Sequence, residues 1–229
     1  AVIKYLMHDQ ITSLNEITKL SSATIGILGI VPKYKSNIPI SQLIVDKSPK
    51  SKITESFRTI RTNMQFISNK KSAKIVAITS TISGEGKTFI ALNLAGIIAF
   101  SGKKVIVLDL DMRKPKLHLG FGAENNNGMS TLLIEKDSLE NCIRHSDLDS
   151  LDFITAGPLP PNPSELIING VLDNLIGKLK IDYDMIVFDT PPVGLVTDGI
   201  PVIQKADYPI YIFKANYSKK NFIQNVDRI

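Results

Sequence analysis

The fold is decided by the stretch Thr79-Ser-Thr-Ile-Ser-Gly-Glu-Gly-Lys-Thr88. It follows an apolar run, Ile75-Val-Ala-Ile78, that is typical of a buried strand, and it precedes a helical pattern from Ile90 to Ala99. A strand that turns through small residues into Gly-Lys-Thr and then a helix predicts a phosphate-binding loop. The glycines let successive backbone N–H groups face the phosphates, and the helix N-terminus adds partial positive charge.

The loop predicts a nucleotide triphosphate as ligand. Lys87 is expected to reach the β- and γ-phosphates of ATP or GTP, and the Thr88 hydroxyl is expected to ligate Mg²⁺. A glycine usually stands where this loop has Thr81, so a chance glycine turn is the competing interpretation; the flanking strand and helix argue against it. We predict that the nucleotide, as ATP or ADP, contacts Ser83, Gly84, Glu85, Gly86, Lys87, Thr88 and Phe89.

The composition is that of a globular protein. The 229 residues suffice for one large α/β domain, or for one domain and a tail, and 43% of them are hydrophobic. The formal net charge of +5 comes from scattered lysines, which indicates a solvated surface; attraction to an anionic membrane or to phosphates is the alternative. The single cysteine, Cys142, excludes a disulfide framework and fits a reducing compartment.

The sequence contains no apolar run near the roughly 18 residues that span a bilayer, and it has no secretory signal. It begins inside a plausible helix, because Val2, Ile3, Leu6 and Met7 have helical spacing, and it stops abruptly at Ile229. We therefore expect a piece of a longer protein.

The chain divides into two parts. Residues 1–47 are weakly patterned and are interpreted as a linker or N-terminal extension, with a capping box at Ser13-Leu-Asn-Glu16 and a β-like run at Ile25–Val31. Residues 48–229 are interpreted as the catalytic domain. Its first helix is expected to start at Ser48-Pro49 and to carry the apolar stripe Ile53, Phe57, Ile60 and Met64, with Glu55, Arg58 and Arg61 on the neighbouring face.

From Ile75 onward, apolar strands alternate with helices. This pattern predicts an α/β fold, a mostly parallel twisted sheet with helices on both faces. The expected strands are Ile75–Thr79, Val105–Asp109, Met185–Asp189 and Pro209–Phe213, and the expected helices begin at Lys87 and lie near Leu166–Leu179.

Carboxylates end two of these strands. Asp109 and Asp111 are two apart on an extended segment, so their side chains are expected to point the same way, and Asp189 follows four apolar residues of a later strand. Each could be a turn or a helix cap. At the edge of the sheet beside a phosphate loop, they are expected to face the γ-phosphate and its Mg²⁺, whose charge would offset their mutual repulsion. We predict Thr88, Asp111 and Asp189 as the metal site.

Several separate motifs resemble those of the bacterial tyrosine kinases that regulate capsular and exopolysaccharide export. They are Glu55-x-x-Arg58-x-x-Arg61, Ser83-Gly-Glu-Gly-Lys-Thr88, Asp109-Leu-Asp-Met-Arg-Lys-Pro115, Gly157-Pro-Leu-Pro-Pro-Asn-Pro-Ser-Glu-Leu166, and Ile186-Val-Phe-Asp-Thr-Pro-Pro192 with Thr197-Asp198. The resemblance runs from about Ile11 to Ala215, and within these motifs Ser83 stands where the family more often has proline. It implies a P-loop NTPase fold of the deviant Walker, partition-ATPase-like type and a protein-tyrosine kinase that uses ATP and Mg²⁺.

The resemblance also implies partners. In the family, Glu55, Arg58 and Arg61 would mediate assembly into a ring, in which the tyrosine-rich tail of a neighbouring protomer is phosphorylated and a cognate phosphatase reverses the reaction. Leu28-Gly-Ile-Val-Pro-Lys33 resembles the segment that follows the second transmembrane helix. The implied setting is the cytoplasmic face of the bacterial inner membrane, beside a membrane-spanning polysaccharide co-polymerase segment. The six tyrosines here are dispersed, so the sequence does not itself supply such a tail.

For the chemistry, we expect Asp109 to accept or orient the proton of the attacking tyrosine. Lys87 and Asp111 are the other two expected catalytic residues.

Two other functions remain open. A partition- or division-type ATPase switch would carry an additional lysine near the start of the loop, and Ser80-Thr-Ile-Ser83 has none. A nucleotide-binding regulator of a membrane polymerase without kinase activity would have much the same sequence. A nucleic-acid partner is not expected, because the basic residues are dispersed.

Overall fold

The computed structural model describes residues 9–21, 26–34, 42–67, 74–168, 170–194 and 199–228. Within these ranges one six-stranded sheet forms from β1 (Lys74–Ser80), β2 (Val105–Asp109), β3 (Arg144–His145), β4 (Leu151–Ile154), β5 (Met185–Asp189) and β6 (Tyr208–Ile212). The strand order is β3-β4-β2-β5-β1-β6, and every neighbouring pair is parallel except β3 with β4. The predicted α/β fold with a mostly parallel sheet is confirmed. The four predicted strands lie within one residue of their expected bounds, and the short β3 and β4 were not predicted.

Ten α-helices and one 3₁₀ helix are seen in the described ranges. They are α1 (Leu14–Leu20), α2 (Ile44–Lys47), α3 (Lys52–Ile67), α4 (Lys87–Ala99), α5 (Leu117–Gly120), α6 (Met129–Leu133), α7 (Leu139–Cys142), α8 (Pro163–Ile168), α9 (Val171–Asp182), α10 (Ile200–Ile203) and the 3₁₀ helix Lys220–Arg228. The single helix predicted near Leu166–Leu179 is wrong. Gly170 has a φ of +80°, a left-handed conformation that separates α8 from α9. None of the described helices is both long and apolar enough to cross a lipid bilayer.

Two predictions at the start of the chain need correction. The β-like run Ile25–Val31 forms no strand in its described part, residues 26–31; instead the Leu28 carbonyl accepts a 2.8 Å hydrogen bond from Asn63 on α3. Pro49 does not lie in the first turn of α3, which begins three residues later, and the side-chain oxygen of Ser51 accepts from the Thr54 N–H at 3.2 Å. The helix opened by Ser13 is confirmed. The helical pattern at residues 2–7 lies outside the described ranges.

The core has two halves, one on each face of the sheet. Because strand side chains alternate, Val76 and Ile78 pack against α3 and α4, whereas Ile75 and Ala77 face α9 and α10. The predicted apolar stripe on α3 is buried in the first half, and its centre, Phe57, has no solvent exposure. Helices therefore cover both faces of the sheet. Because β1, β2 and β5 are parallel neighbours, the residues that follow their carboxyl ends lie at one edge of the sheet.

The helix behind the phosphate loop is also fixed from the side. Asn93, buried in α4, accepts hydrogen bonds from the N–H groups of Ile44 and Val45 at 2.7 and 3.1 Å and donates to the Gln42 carbonyl at 2.9 Å. Gly96 permits this approach, because a Cβ there would lie 2.7 Å from the Leu43 side chain. Residues 42–45 thus pack into the domain core, and the proposed boundary at residue 47 stays a prediction.

Candidate active site

The phosphate loop has the geometry that the sequence predicts. It connects β1 to the 13-residue helix α4, and Gly84 and Gly86 have φ angles of +92° and +108°, which glycine adopts readily. Ile90 donates to the Gly86 carbonyl at 3.0 Å, and its N–H is the first of the helix to bond in this way. The backbone N–H groups before it, at the positive end of the helix dipole, therefore remain available to an anion.

Not every side chain of the predicted nucleotide segment can face a ligand. Glu85 is 3% exposed, and its carboxylate accepts hydrogen bonds from the Ile82 N–H at 2.8 Å and from the Ser218 hydroxyl. The Phe89 ring packs toward the Phe57 ring at 6.2 Å between centroids. Glu85 and Phe89 can contact a nucleotide only through their backbone. The assignment of both to the nucleotide site stays a prediction.

The segment that follows β6 holds the outer side of the loop. Tyr217 donates to the Ser83 carbonyl at 3.0 Å, and the Lys214 ammonium donates to the Gly84 carbonyl at 3.1 Å. Ser218, fully buried, donates to Glu85 from the same segment. No motif in the sequence indicates Ser218, because a single serine 133 residues away from its partner carries no pattern.

The three predicted carboxylates meet at the edge of the sheet. Asp109 and Asp189 are register partners at the ends of β2 and β5, and Asp111 is close enough to perturb the ionisation of both. The loop joins this cluster directly, since the Thr88 hydroxyl donates to Oδ2 of Asp189 at 2.6 Å. Lys87, only 6% exposed, supplies positive charge to Asp111 and Asp189.

Burial and mutual repulsion make these carboxyl groups reluctant to ionise. Burial, followed by the charges of Asp189 and Asp111, raises the pKa of Asp109 well above its usual value. Burial raises the pKa of Asp189 to about 7, although the Thr88 hydrogen bond and the Lys87 charge oppose it. Burial also raises the pKa of Asp111, against the positive charge of Lys87. A cation at this cluster would restore the ionised forms.

The cluster fits a magnesium ion that is shared with a nucleotide. Oδ1 of Asp189 is buried and has no hydrogen-bond partner in the described residues, so it has an unused acceptor. No group of three or more His, Cys, Asp or Glu side chains in the described part of the chain is placed to hold a metal by itself. Mg²⁺ commonly takes one or two carboxylates and fills its octahedron with water and phosphate oxygens, which this donor set allows.

Asp109 and Asp111 differ in access. Asp109 has no exposure, and its two carboxylate oxygens accept from the N–H groups of Asp111 and Leu117 at 3.1 and 3.2 Å. Asp111 is 9% exposed and accepts from the Lys114 N–H. Of the two, Asp111 is therefore the nearer to solvent, which matters for any role in proton transfer.

The residues predicted for assembly do not share one environment. Arg58 pairs with Glu55 on the exposed surface of α3. Arg61 instead donates to the Ile97 carbonyl of α4 at 2.9 Å, and its Nε is buried without a hydrogen-bond partner in the described residues. Glu55 and Arg58 are therefore paired on the surface while Arg61 also contacts the neighbouring helix, and the role of all three in assembly stays a prediction. The motif residues Thr197 and Asp198 lie outside the described ranges.

Comparison with known proteins agrees with this geometry. Residues 73–226 match the family model described as an AAA domain. The chain is 40% identical over 178 residues to the tyrosine-protein kinase YwqD of Bacillus subtilis, with 78% of this chain and 75% of that protein covered. The chain belongs to the bacterial tyrosine kinase family. It is also 34% identical over 186 residues to the tyrosine-protein kinase Wzc of Salmonella typhimurium, of which it spans only 25%.

Solved structures that share this fold include tyrosine kinase domains and a division-site ATPase. The chimerical protein CapA2B2 superposes with a TM-score of 0.85 at 35% identity, covering 95% of this chain and 92% of that one. The kinase domain of the Escherichia coli tyrosine kinase ETK gives 0.81 at 28% identity over 89% and 85%. The septum site-determining protein MinD of Pyrococcus horikoshii, complexed with Mg-ADP, gives 0.53 at 25% identity over 61% and 57%. The predicted kinship with partition- and division-type ATPases is confirmed at the level of fold.

Proposed function

We propose that this chain is the catalytic domain of a protein-tyrosine kinase that transfers the γ-phosphoryl group of ATP to tyrosine. The observation that carries the proposal is the hydrogen bond between Thr88 and Asp189, because it joins the phosphate loop to the carboxylate cluster. Membership of a family whose curated members are tyrosine-protein kinases supports the same conclusion.

The loop would bind the nucleotide chiefly through its backbone. The free N–H groups at the start of α4 would face the phosphates, and Lys87 would neutralise charge on the β- and γ-phosphates, which is the main catalytic contribution in phosphoryl transfer. Mg²⁺ would be held by Thr88, Asp111 and Asp189, and it supplies charge neutralisation to the phosphates and to the acidic cluster. The fold neighbour MinD, which is complexed with Mg-ADP, supports the binding of a nucleotide together with Mg²⁺.

A tyrosine hydroxyl, with a pKa near 10, needs a proton acceptor or strong positioning to attack at neutral pH. We propose Asp109 as the group that accepts or orients this proton, since it ends β2 as the register partner of Asp189, in the cluster beside the phosphate loop. Its burial means that the proton would reach it through Asp111 or with movement of Leu117, whose N–H it binds. The alternative assignment, with Asp111 as the acceptor, follows from its greater access.

The test is phosphotransfer to a tyrosine-rich tail peptide added in trans, followed by detection of phosphotyrosine. Lys87→Met should lower the rate at least about 100-fold, as expected when a major charge-stabilising group is lost. Lys103→Met is the matched control, because Lys103 is exposed, pairs with Asp184 and lies at the opposite end of the sheet; its rate should match the wild type. Activity retained by Lys87→Met would contradict the proposal. Release of ADP without phosphotyrosine would favour an ATPase switch or a regulator without kinase activity.

The biological setting follows from the resemblance and from the family. We propose that the kinase acts at the cytoplasmic face of the bacterial inner membrane, with a membrane-spanning co-polymerase segment, in the regulation of capsular or exopolysaccharide export. Self-association, phosphorylation of a neighbour's tyrosine-rich tail and removal of that phosphate by a cognate phosphatase belong to the same proposal. Similarity to the chimerical CapA2B2 protein over 95% of the chain supports it.

A further inference from the structure

The described tyrosines differ sharply in their exposure. Tyr183 and Tyr208 are 9% and 5% exposed, and their hydroxyls bond to Asp152 and to Lys74. Tyr34 and Tyr211 are half-buried, and the Tyr211 hydroxyl is 2.6 Å from the Thr81 hydroxyl. Tyr217 is 40% exposed, more than any other tyrosine of the described ranges.

Tyr217 is also the tyrosine that touches the outer side of the phosphate loop. Its hydroxyl donates to the Ser83 carbonyl at 3.0 Å and would lie 2.8 Å from a Cβ added at Gly84. The Lys214 ammonium lies over its ring, 4.7 Å from the centroid, and reaches the Gly84 carbonyl. An exposed side chain held by one hydrogen bond and one cation–π contact can rotate away from them on a fast timescale, which makes the hydroxyl available to an enzyme.

We propose that Tyr217 is a phosphorylation site of this chain, modified by a second copy, and that its phosphorylation weakens nucleotide binding at the adjoining loop. This inference rests on the proposed function. In the step, the Tyr217 oxygen forms a bond to the γ-phosphorus of ATP held by the second copy, and the bond from that phosphorus to the β,γ-bridging oxygen breaks. ADP leaves with the electron pair, and the phenolic proton passes to the carboxylate cluster of the second copy.

The effect on nucleotide binding follows from charge and hydrogen bonding. A phosphotyrosine carries about −1.5 to −2 charges near neutral pH and has no hydroxyl left to donate to Ser83. The new oxygens would face a backbone carbonyl, an acceptor that repels them, and would stand beside the loop that binds the anionic nucleotide phosphates. Lys214 would be drawn to the phosphate and away from the Gly84 carbonyl. The loop thereby loses two of its outer contacts and gains a repulsive charge.

The first experiment tests whether Tyr217 receives the phosphoryl group, and it uses the wild-type kinase and an inactive variant. Wild-type kinase, ATP and Mg²⁺ are mixed with the Lys87→Met variant as substrate and with the tail peptide, and phosphorylated residues are mapped by mass spectrometry. We expect phosphate at Tyr217 of the variant and none at Tyr183, and we expect the Lys87→Met/Tyr217→Phe double variant to lose the label. Labelling of the tail peptide without Tyr217 would overturn this inference alone. Labelling of neither would overturn the proposed function as well.

The second experiment tests the effect of phosphorylation on nucleotide binding, and it does not depend on kinase activity. Phosphotyrosine is encoded at position 217 during translation, and the affinity for ADP with Mg²⁺ is measured by calorimetry before and after treatment with a tyrosine phosphatase. We expect the phosphorylated protein to bind at least about tenfold more weakly and the phosphatase to restore the affinity. Tyr217→Phe, which loses the hydrogen bond but gains no charge, should change the affinity by less than about threefold. Equal affinities for the phosphorylated and treated samples would refute the regulatory part.

Discussion

The Thr88 hydroxyl, at the start of α4, donates a 2.6 Å hydrogen bond to Oδ2 of Asp189 at the end of β5. The bond uses the proton of Thr88 and leaves its oxygen lone pairs, while Oδ1 of Asp189 stays buried with no partner in the described residues. The Thr88 hydroxyl oxygen and Oδ1 of Asp189 are therefore two oxygen atoms that could ligate a metal ion where the loop and the cluster meet. Under the proposed function, a Mg²⁺ ion bound here would complete its coordination with water and phosphate oxygens.

The carboxylate cluster should make the nucleotide-free protein less stable as the pH rises. The pKa of Asp189 is raised from 3.8 to about 7, so between these values the folded state holds a proton that the unfolded state has released. Raising the pH through this window therefore favours unfolding, and Asp109 and Asp111 act in the same direction. Between pH 5 and pH 7.5 we expect a loss of at least ~1 kcal/mol, or about 2–4 °C in Tm.

Thermal unfolding of the metal-free protein measures this dependence. Asp189→Asn should flatten it, whereas Asp173→Asn, which alters an exposed carboxylate paired with Lys205 at 2.6 Å, should leave it unchanged. Saturating ADP with Mg²⁺ should raise Tm most at the higher pH. A Tm that climbs from pH 5 to 7.5 in the wild type would contradict the assignment of the cluster.

Ser218 should stabilise both the fold and the phosphate loop through Glu85. Ser218→Ala leaves one oxygen of a carboxylate that is 3% exposed without its donor, and a buried unsatisfied polar group costs ~1–3 kcal/mol. We expect a loss of that size in denaturant unfolding, together with weaker ADP binding. Ser101→Ala is the control: its hydroxyl bonds only within its own turn, to Ile98, and it should shift stability by less than ~0.5 kcal/mol. Equal losses of stability in Ser218→Ala and Ser101→Ala would contradict a stabilising role for the hydrogen bond between Ser218 and Glu85.

Gly194 should tolerate no side chain, because the loop after β5 presses on the phosphate loop there. A Cβ would lie 2.5 Å from the Thr81 carbonyl oxygen and 2.3 Å from the Thr81 methyl group. Gly194→Ala should therefore displace the loop and lower ADP affinity about tenfold or more. Gly177→Ala, on α9, meets no atom within 4 Å and should stabilise the protein by ~0.5–1 kcal/mol with unchanged affinity. Unchanged ADP affinity in Gly194→Ala would contradict the prediction that the contact between Gly194 and Thr81 positions the phosphate loop.

Substitutions of Arg58 and Arg61 should distinguish an effect on assembly from an effect on folding stability. Arg58 is paired on the surface, so Arg58→Ala should shift stability by less than ~0.5 kcal/mol and, if the ring prediction holds, should still reduce the assembled species in light scattering. Arg61→Ala removes the contact to the Ile97 carbonyl and should cost ~1–3 kcal/mol. A folded Arg58→Ala/Arg61→Ala variant that assembles like the wild type would refute the role of this motif.

Local patterns were enough to predict the parts of the site that lie along single strand-to-loop junctions. Lys87 and Thr88 end the glycine loop that follows β1, whereas Asp109, Asp111 and Asp189 come at or just after the ends of β2 and β5, and parallel strands bring these ends to one edge. The contacts of Ser218 and of Gly194 could not be predicted, because they join segments that are distant in sequence through residues with no distinctive pattern. Spatial proximity of this kind comes from the sheet order, with β1 between β5 and β6, which the sequence alone does not indicate.

Two details of the fold have a simple geometric origin. Arg61 lies six residues beyond Glu55, which at about 100° per residue places it ~120° around the helix and toward α4, where its guanidinium contacts the Ile97 carbonyl. The break at Gly170 did carry a signal, a glycine inside an apolar pattern, but only the left-handed φ distinguishes a helix boundary from a tolerated interior glycine.

The three hydrogen bonds that Asn93 forms with residues 42, 44 and 45 argue against shortening this protein to begin at residue 48. A chain cut to begin at Ser48 would leave that buried carboxamide without these partners and would bare the surface of α4 that Leu43 and Val45 cover. A chain cut just before Gln42 keeps the whole contact. For truncation, residue 42 is therefore a sounder starting point than the change in sequence pattern near residue 48.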